Sequence, residues 1–127
     1  MSWQRAPVVA ALVAAFSEAA EHVAVFKVSP ATVNPPALVC VDPVTVTKRT
    51  SAMSVDQTDF AVTAIVALDQ ADELSALLDT ADSAVMADPT LGKTVWAATP
   101  IEYRNFRLLT IGGAEYRAAD LIIRIDL

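Results

Sequence analysis

The stretch FRLLTIGGAEYRAADLIIRIDL, residues 106–127, decides the fold. Gly112-Gly113 stands between two apolar runs, and a Gly-Gly pair supplies the positive φ angles that a two-residue β-hairpin needs. Strands are therefore expected over Phe106 to Ile111 and Glu115 to Leu127. In the second of these, Ala119, Leu121, Ile123, Ile125 and Leu127 alternate with polar positions that include Asp120, Arg124 and Asp126. A period of two directs the first set to a core and the second outward. One face of this sheet must then be covered by something apolar.

Two helices are available to cover it. In the segment after Asp69, the residues Leu74, Leu77, Leu78, Ala81 and Val85 fall three or four apart and form one inward stripe. Asp69, Asp72 and Glu73 crowd its first turn, where negative charge suits the positive end of the helix dipole, and Asp88-Pro89 ends it. An earlier helix is predicted from Arg5 to Glu21. Pro7 is tolerated in its first turn, and Val9, Leu12, Phe16 and Ala19 draw its apolar stripe. Its many alanines favour the helix and let a neighbour approach closely.

Between the helices the pattern is extended. Val23 to Val28 reads as a strand ended by Ser29-Pro30, and Asn34-Pro35-Pro36 forces an extended turn. Leu38 to Val41 is a short strand that Asp42-Pro43 interrupts before Val44 to Thr47 resumes the alternation. The polar stretch Lys48 to Asp59 reads as a hairpin loop. Phe60 to Leu68 returns as a strand with Phe60, Val62, Ala64, Val66 and Leu68 on one face and Ala61, Thr63, Ile65 and Ala67 on the other. Both faces are largely apolar, so this strand is central or covered by a partner. Thr90 to Tyr103, with Gly92, Trp96 and Pro100, reads as irregular. The order helix, strands, helix, hairpin predicts a single α+β domain over residues 1–127: a mainly antiparallel sheet with helices packed on one face, a two-layer sandwich.

Composition narrows the function. The chain has 127 residues, 54% of them hydrophobic but only 6% aromatic, so its core is built from small and β-branched side chains. Nine basic residues against fifteen acidic ones give a formal net charge of −6. That argues against a tightly held nucleic acid, which needs clustered Lys and Arg. The longest apolar stretch, Ala6 to Ser17, is too short to span a bilayer and runs into Glu18 and Glu21. It lacks the basic start and cleavage site of a signal peptide, so no membrane association and a cytoplasmic location are expected. The single cysteine, Cys40, lies in the apolar run Ala37-Leu-Val-Cys-Val41 and reads as a buried core thiol.

No catalytic constellation emerges. His22, the one histidine, has no second His or Cys to share a metal and reads as a solvated residue near a helix end. Ser17, five residues earlier, falls on another helix face, and no Gly-x-Ser-x-Gly elbow surrounds any serine. Leu91-Gly92-Lys93-Thr94 has the ending of a P-loop, but Ala87 stands where the earlier glycine belongs, and the motif follows a helix instead of a strand. The six carboxylates from Asp69 to Asp88 sit on helix faces and not in a calcium loop; they read as a repelling, solvated surface that can also line a channel. The expectation is a non-enzyme without cofactor or metal. Lys48 and Arg49, the one adjacent basic pair, open the polar loop and can grip an acidic partner.

Two motifs carry a resemblance. Asp88-Pro-Thr-Leu-Gly-Lys-Thr-Val95 closes the second helix, and Gly112-Gly113-Ala-Glu-Tyr-Arg-Ala-Ala-Asp-Leu-Ile-Ile-Arg-Ile125 forms the hairpin and last strand. Together with the opening helix, the meandering strands and the length, they resemble the tail-terminator (tail-completion) proteins of long, flexible-tailed phages. Lys93 stands where that family's turn has a second glycine. The resemblance implies a virion structural protein at the head–tail junction, assembled in the host cytoplasm. It implies a homo-oligomer, a hexameric ring that caps the tail tube protein and stops its polymerisation. It also implies a docking face for the head-completion or connector protein, and a lumen through which DNA passes without specific binding. Another head–tail joining or tube protein of similar fold, or a small-molecule-binding α+β domain, are the alternatives. The interface candidates are Lys48, Arg49, Asp56 and Asp59 of the polar loop, and Lys93, Trp96 and Arg104 in or next to the irregular segment.

Overall fold

A computed structural model describes residues 5–27, 30–47 and 57–126, with side chains described for residues 6–27, 30–40 and 58–126. The order is α1 (Arg5–Ala19), β1 (Ala24–Phe26), β2 (Ala37–Thr47), β3 (Gln57–Ala67), α2 (Ala71–Ala87), β4 (Ala97–Ile111) and β5 (Ala114–Asp126). The five strands form one sheet in the order β1-β2-β3-β5-β4. Every pairing is antiparallel except β1 with β2, which is parallel. The architecture is α+β, as the element pattern predicts. β3 is central, which explains its two apolar faces.

Its pairing with β5 runs without irregularity from Gln57 opposite Asp126 to Ala67 opposite Tyr116. The outer ladders are less regular. β2 carries two register shifts around Pro43, so the Asp42-Pro43 step leaves one continuous strand with displaced pairing where two short strands are expected. β4 carries two more, between Pro100 and Glu102 and between Arg104 and Arg107. Each puts one extra residue on β4 and reverses the parity of everything after it. The segment from 97 to 103 is therefore strand, not irregular chain; the irregularity is confined to residues 88–96.

The main core lies between the helices and one sheet face. α2 buries Leu74, Leu77, Leu78, Ala81 and Val85, the full predicted stripe. α1 adds Val8, Val9, Leu12 and Phe16, and the sheet supplies Phe60, Val62, Ala64, Leu121, Ile123 and Ile125 among others. Cys40 is buried there as a free thiol. Leu68 departs from the strand predicted to include it: β3 ends at Ala67, and Leu68 lies in the following turn, exposed. Leu127 and the stretch 48–56 lie outside the described residues.

The second sheet face is not bare. The segment joining the parallel strands β1 and β2 crosses it, placing Val33 with Ala37, Val39, Ile65 and Ala118 in a smaller cluster. The Tyr116 hydroxyl donates to the Val33 carbonyl at 3.1 Å. At the hairpin tip Gly112 (φ +60) and Gly113 (φ +82) take the left-handed conformation. A side chain on Gly112 would stand 3.0 Å from the Ala31 carbonyl oxygen. Asp120, predicted to face out, does point away from the helices, but it is buried. Alternation fixed its face; neighbouring strands removed its solvent.

Candidate subunit interface

Among the described residues six large apolar side chains stand exposed, and four of them, Trp96, Ile101, Phe106 and Leu108, lie on β4 or next to its first residue. Trp96 is 77% exposed, Phe106 59% and Leu108 57%. β4 is also an edge strand of 15 residues. A long edge with apolar side chains is a surface that another chain covers, or that aggregates if none does. Its first half is blunted by Pro100, two bulges and the charges of Glu102 and Arg104, all devices that discourage indiscriminate strand pairing.

Contacts at three places fix the geometry of β4. At its start, the Trp96 N–H donates to the Asp126 carbonyl at 2.8 Å and the Ala98 N–H to the Pro89 carbonyl at 2.6 Å. In its middle, the Tyr103 hydroxyl lies 2.7 Å from Asp79 and 2.9 Å from Asp82 on α2. Burial, and the two carboxylates after it, push the Tyr103 pKa up, so the phenol stays protonated and donates. At the second bulge, where Asn105 has φ +63, the buried Asp120 carboxylate accepts from Asn105, Arg107 and Thr63. The bulge turns Arg107 to the Asp120 face and leaves Phe106 and Leu108 beside Ala71 and Leu74 of α2, lining a groove of about 360 Å³.

The turn before β4 is built on Asp88. Its carboxylate accepts from the Gly92 N–H at 2.8 Å and the Thr90 hydroxyl at 3.1 Å. Leu91, Gly92 and Lys93 are all left-handed, with φ of 48°, 65° and 66°, and Leu91 and Val95 drop into the main core. This cradle follows a helix and closes on its own Asp88. It is a helix-ending turn.

The predicted interface residues are dispersed. Lys48, Arg49 and Asp56 lie outside the described residues. Asp59 accepts two bonds from Arg124, at 2.9 and 3.1 Å, which holds the Arg124 guanidinium pKa up. Through Asp59 opposite Arg124 and Arg124 opposite Thr99, it shares one end of the sheet with Trp96. Lys93 is exposed in the turn, and Arg104 is exposed near mid-strand with a 3.1 Å ion pair to Glu102. Of the candidates, Lys93, Trp96 and Arg104 thus sit on β4 or its lead-in. Ile101, Phe106 and Leu108 complete the exposed set. The signal that would have found them is the amphipathic pattern of β4, which its two parity reversals conceal.

Among the described residues no three His, Cys, Asp or Glu side chains come together to hold a metal. His22 is exposed beyond the last residue of α1, lining a shallow groove with Glu21 and Glu73. No helix of the described residues is long and apolar enough to cross a membrane.

Neither a protein-family model nor a curated protein sequence matches the chain. Among solved structures, it is similar to a chain in the virion of a native gene transfer agent (GTA) particle. The two share 14% identity with a TM-score of 0.53, and the match covers 98% of each chain. A likeness at that identity shows a common fold, and here it runs from end to end.

Proposed function

We propose that this chain is a structural protein of a phage-like virion, and specifically a tail terminator. Copies close into a hexameric ring on the end of the tail tube, stop its growth and offer the opposite face to the head connector. The observation that carries this reading is the end-to-end likeness in fold to a chain of a gene transfer agent virion. The exposed β4 surface supports it, because a ring subunit must keep apolar surface for its neighbours. The Asp88 turn and the Gly112-Gly113 hairpin, the two motifs of the tail-terminator resemblance, both hold β4 in place. An acidic chain with a net charge of −6 suits a lumen through which DNA slides without being held. In this role the protein performs no chemistry and requires no cofactor.

Native mass spectrometry with negative-stain imaging, over rising protein concentration and with isolated tail tubes added, tests the proposal. Closed rings with a central pore, seated on tube ends, are the expected result. Open tubes would instead identify a tube protein, and protein that neither self-assembles nor binds tubes would overturn the assignment.

A further inference from the structure

Ring closure needs two different surfaces on each copy, and the structure offers an apolar pair with opposite charges at their rims. The first surrounds Phe106 and Leu108, both more than half exposed. Among the described residues its lining includes Arg107 and Arg117 and no acidic residue. Arg117 gives its Nε–H to the Leu68 carbonyl at 2.7 Å and, among the described residues, pairs with no carboxylate. This patch therefore presents large apolar knobs beside a free positive charge. It lies against the first turns of α2, at Ala71, Leu74 and Ser75.

The second surface lies at the other end of α2, where Asp88 and Gly92 adjoin the outer side of α1. There Ala10, Ala14 and neighbouring small residues floor a groove of about 480 Å³ whose lining, among the described residues, includes Glu18 and Asp88 and no basic residue. From Ala6 to Ser17 the helix carries no charge at all, although Ala10, Ala14 and Ser17 are exposed. A surface helix ordinarily turns charged residues to water along such a face. This face is built to be covered.

The geometry points to head-to-tail docking of a second copy of this chain: the Phe106 and Leu108 knobs of one copy enter the α1 groove of the next, and Arg117 faces Glu18 across the contact. Bulky apolar groups meet a floor of alanines, and a cationic rim meets an anionic one, so the contact gains both burial and register. The two surfaces lie at opposite ends of a 17-residue helix, roughly 25 Å apart. Such a contact is heterologous and repeats from copy to copy until the ring closes. The inference rests on the reading that the protein assembles with itself.

Mixing complementary variants of the full chain tests it. Leu108→Asp removes the knob and keeps the groove; Ala14→Arg fills the groove and keeps the knob. Both positions are exposed, so each variant should retain the wild-type circular dichroism. If either does not, Phe106→Ser and Ala10→Arg take their places. By native mass spectrometry, each variant alone is expected to stay monomeric at concentrations where the wild type is fully assembled. An equimolar mixture is expected to give a one-to-one dimer and nothing larger, because only one intact knob and one intact groove remain. Variants that assemble like the wild type, or a mixture that yields no dimer, would overturn the pairing and leave the ring proposal standing. A wild type that stays monomeric at every concentration would overturn the pairing and self-assembly together.

Discussion

Asp120 and Arg107 meet at 3.1 Å across the β5–β4 ladder, on the sheet face away from the helices. Their Cα positions are not opposite one another: Arg104 opposes Asp120, and Arg107 opposes Ala118. The ion pair reaches across the extra residue of the β4 bulge. The same carboxylate accepts from the Thr63 hydroxyl at 2.8 Å and the Asn105 amide at 3.1 Å. A buried charge costs stability unless it is paired and hydrogen-bonded, and this one is both. It also binds the bulge from beneath, which fixes how Phe106 and Leu108 present themselves.

Asp120→Ala is therefore expected to destabilise the fold by about 3 kcal/mol, the lower end of the range for breaking a buried pair, because Arg107 keeps partial access to water. Three donors would lose their acceptor at once. Asp120→Asn preserves the shape and part of the bonding and should cost roughly half as much. Urea unfolding of the three proteins measures both. A loss under about 1 kcal/mol for the alanine variant would mean that water replaces the carboxylate and that the network does not hold β4.

The Tyr103 hydroxyl ties β4 to α2 and gives stability a pH dependence of known sign. Its pKa in the folded protein lies above the ordinary 10.0, chiefly through burial and then through Asp79 and Asp82. The protonated phenol is thus favoured by folding. Its contribution is complete below pH 10.0 and is lost progressively as pH rises from there toward the folded-state value. Tyr103→Phe should cost about 1 kcal/mol at pH 8, the net worth of such a bond at a partly exposed site. It should also flatten the fall in stability between pH 9 and about pH 11. Denaturant midpoints across that range, compared between the two proteins, check it. Parallel slopes would show that the phenol makes no differential contribution.

Periodicity made α2, β5 and the Gly112-Gly113 hairpin legible because each element keeps one uninterrupted period. The stripe from Leu74 to Val85 and the alternation from Ala119 to Ile125 both enter the core as read. The first half of β4 was concealed for the opposite reason, whereas Phe106 to Ile111 reads as strand. Ala98 and Pro100 face the helices with even numbers, Tyr103 does so with an odd one, and Leu108 with an even one again, so no single period spans the strand. Asp120 shows a different limit. Alternation assigns a residue to a face, but whether that face meets water depends on what crosses it. Here the bulged edge of β4 does the covering, through Asn105 and Arg107. The exposed apolar patch was partly legible through Trp96, and it became a surface only when β4 set Ile101, Phe106 and Leu108 beyond it.

Lys93 carries the last prediction. It is exposed, it follows Gly92 in the Asp88 turn, and its φ is 66°. For a residue with a Cβ, the left-handed region costs about 1–2 kcal/mol, whereas glycine adopts it without steric penalty but loses about 0.5–1 kcal/mol more conformational entropy on folding. The Lys93 N–H lies 3.3 Å from the Thr90 hydroxyl, a backbone bond that survives any side-chain change. Lys93→Gly should therefore stabilise the protein by about 0.5–1 kcal/mol. Thermal and urea unfolding measure the gain. A loss of stability on that substitution would show that the lysine side chain makes a contact worth more than the backbone strain, and would redirect attention from the turn's conformation to its charge.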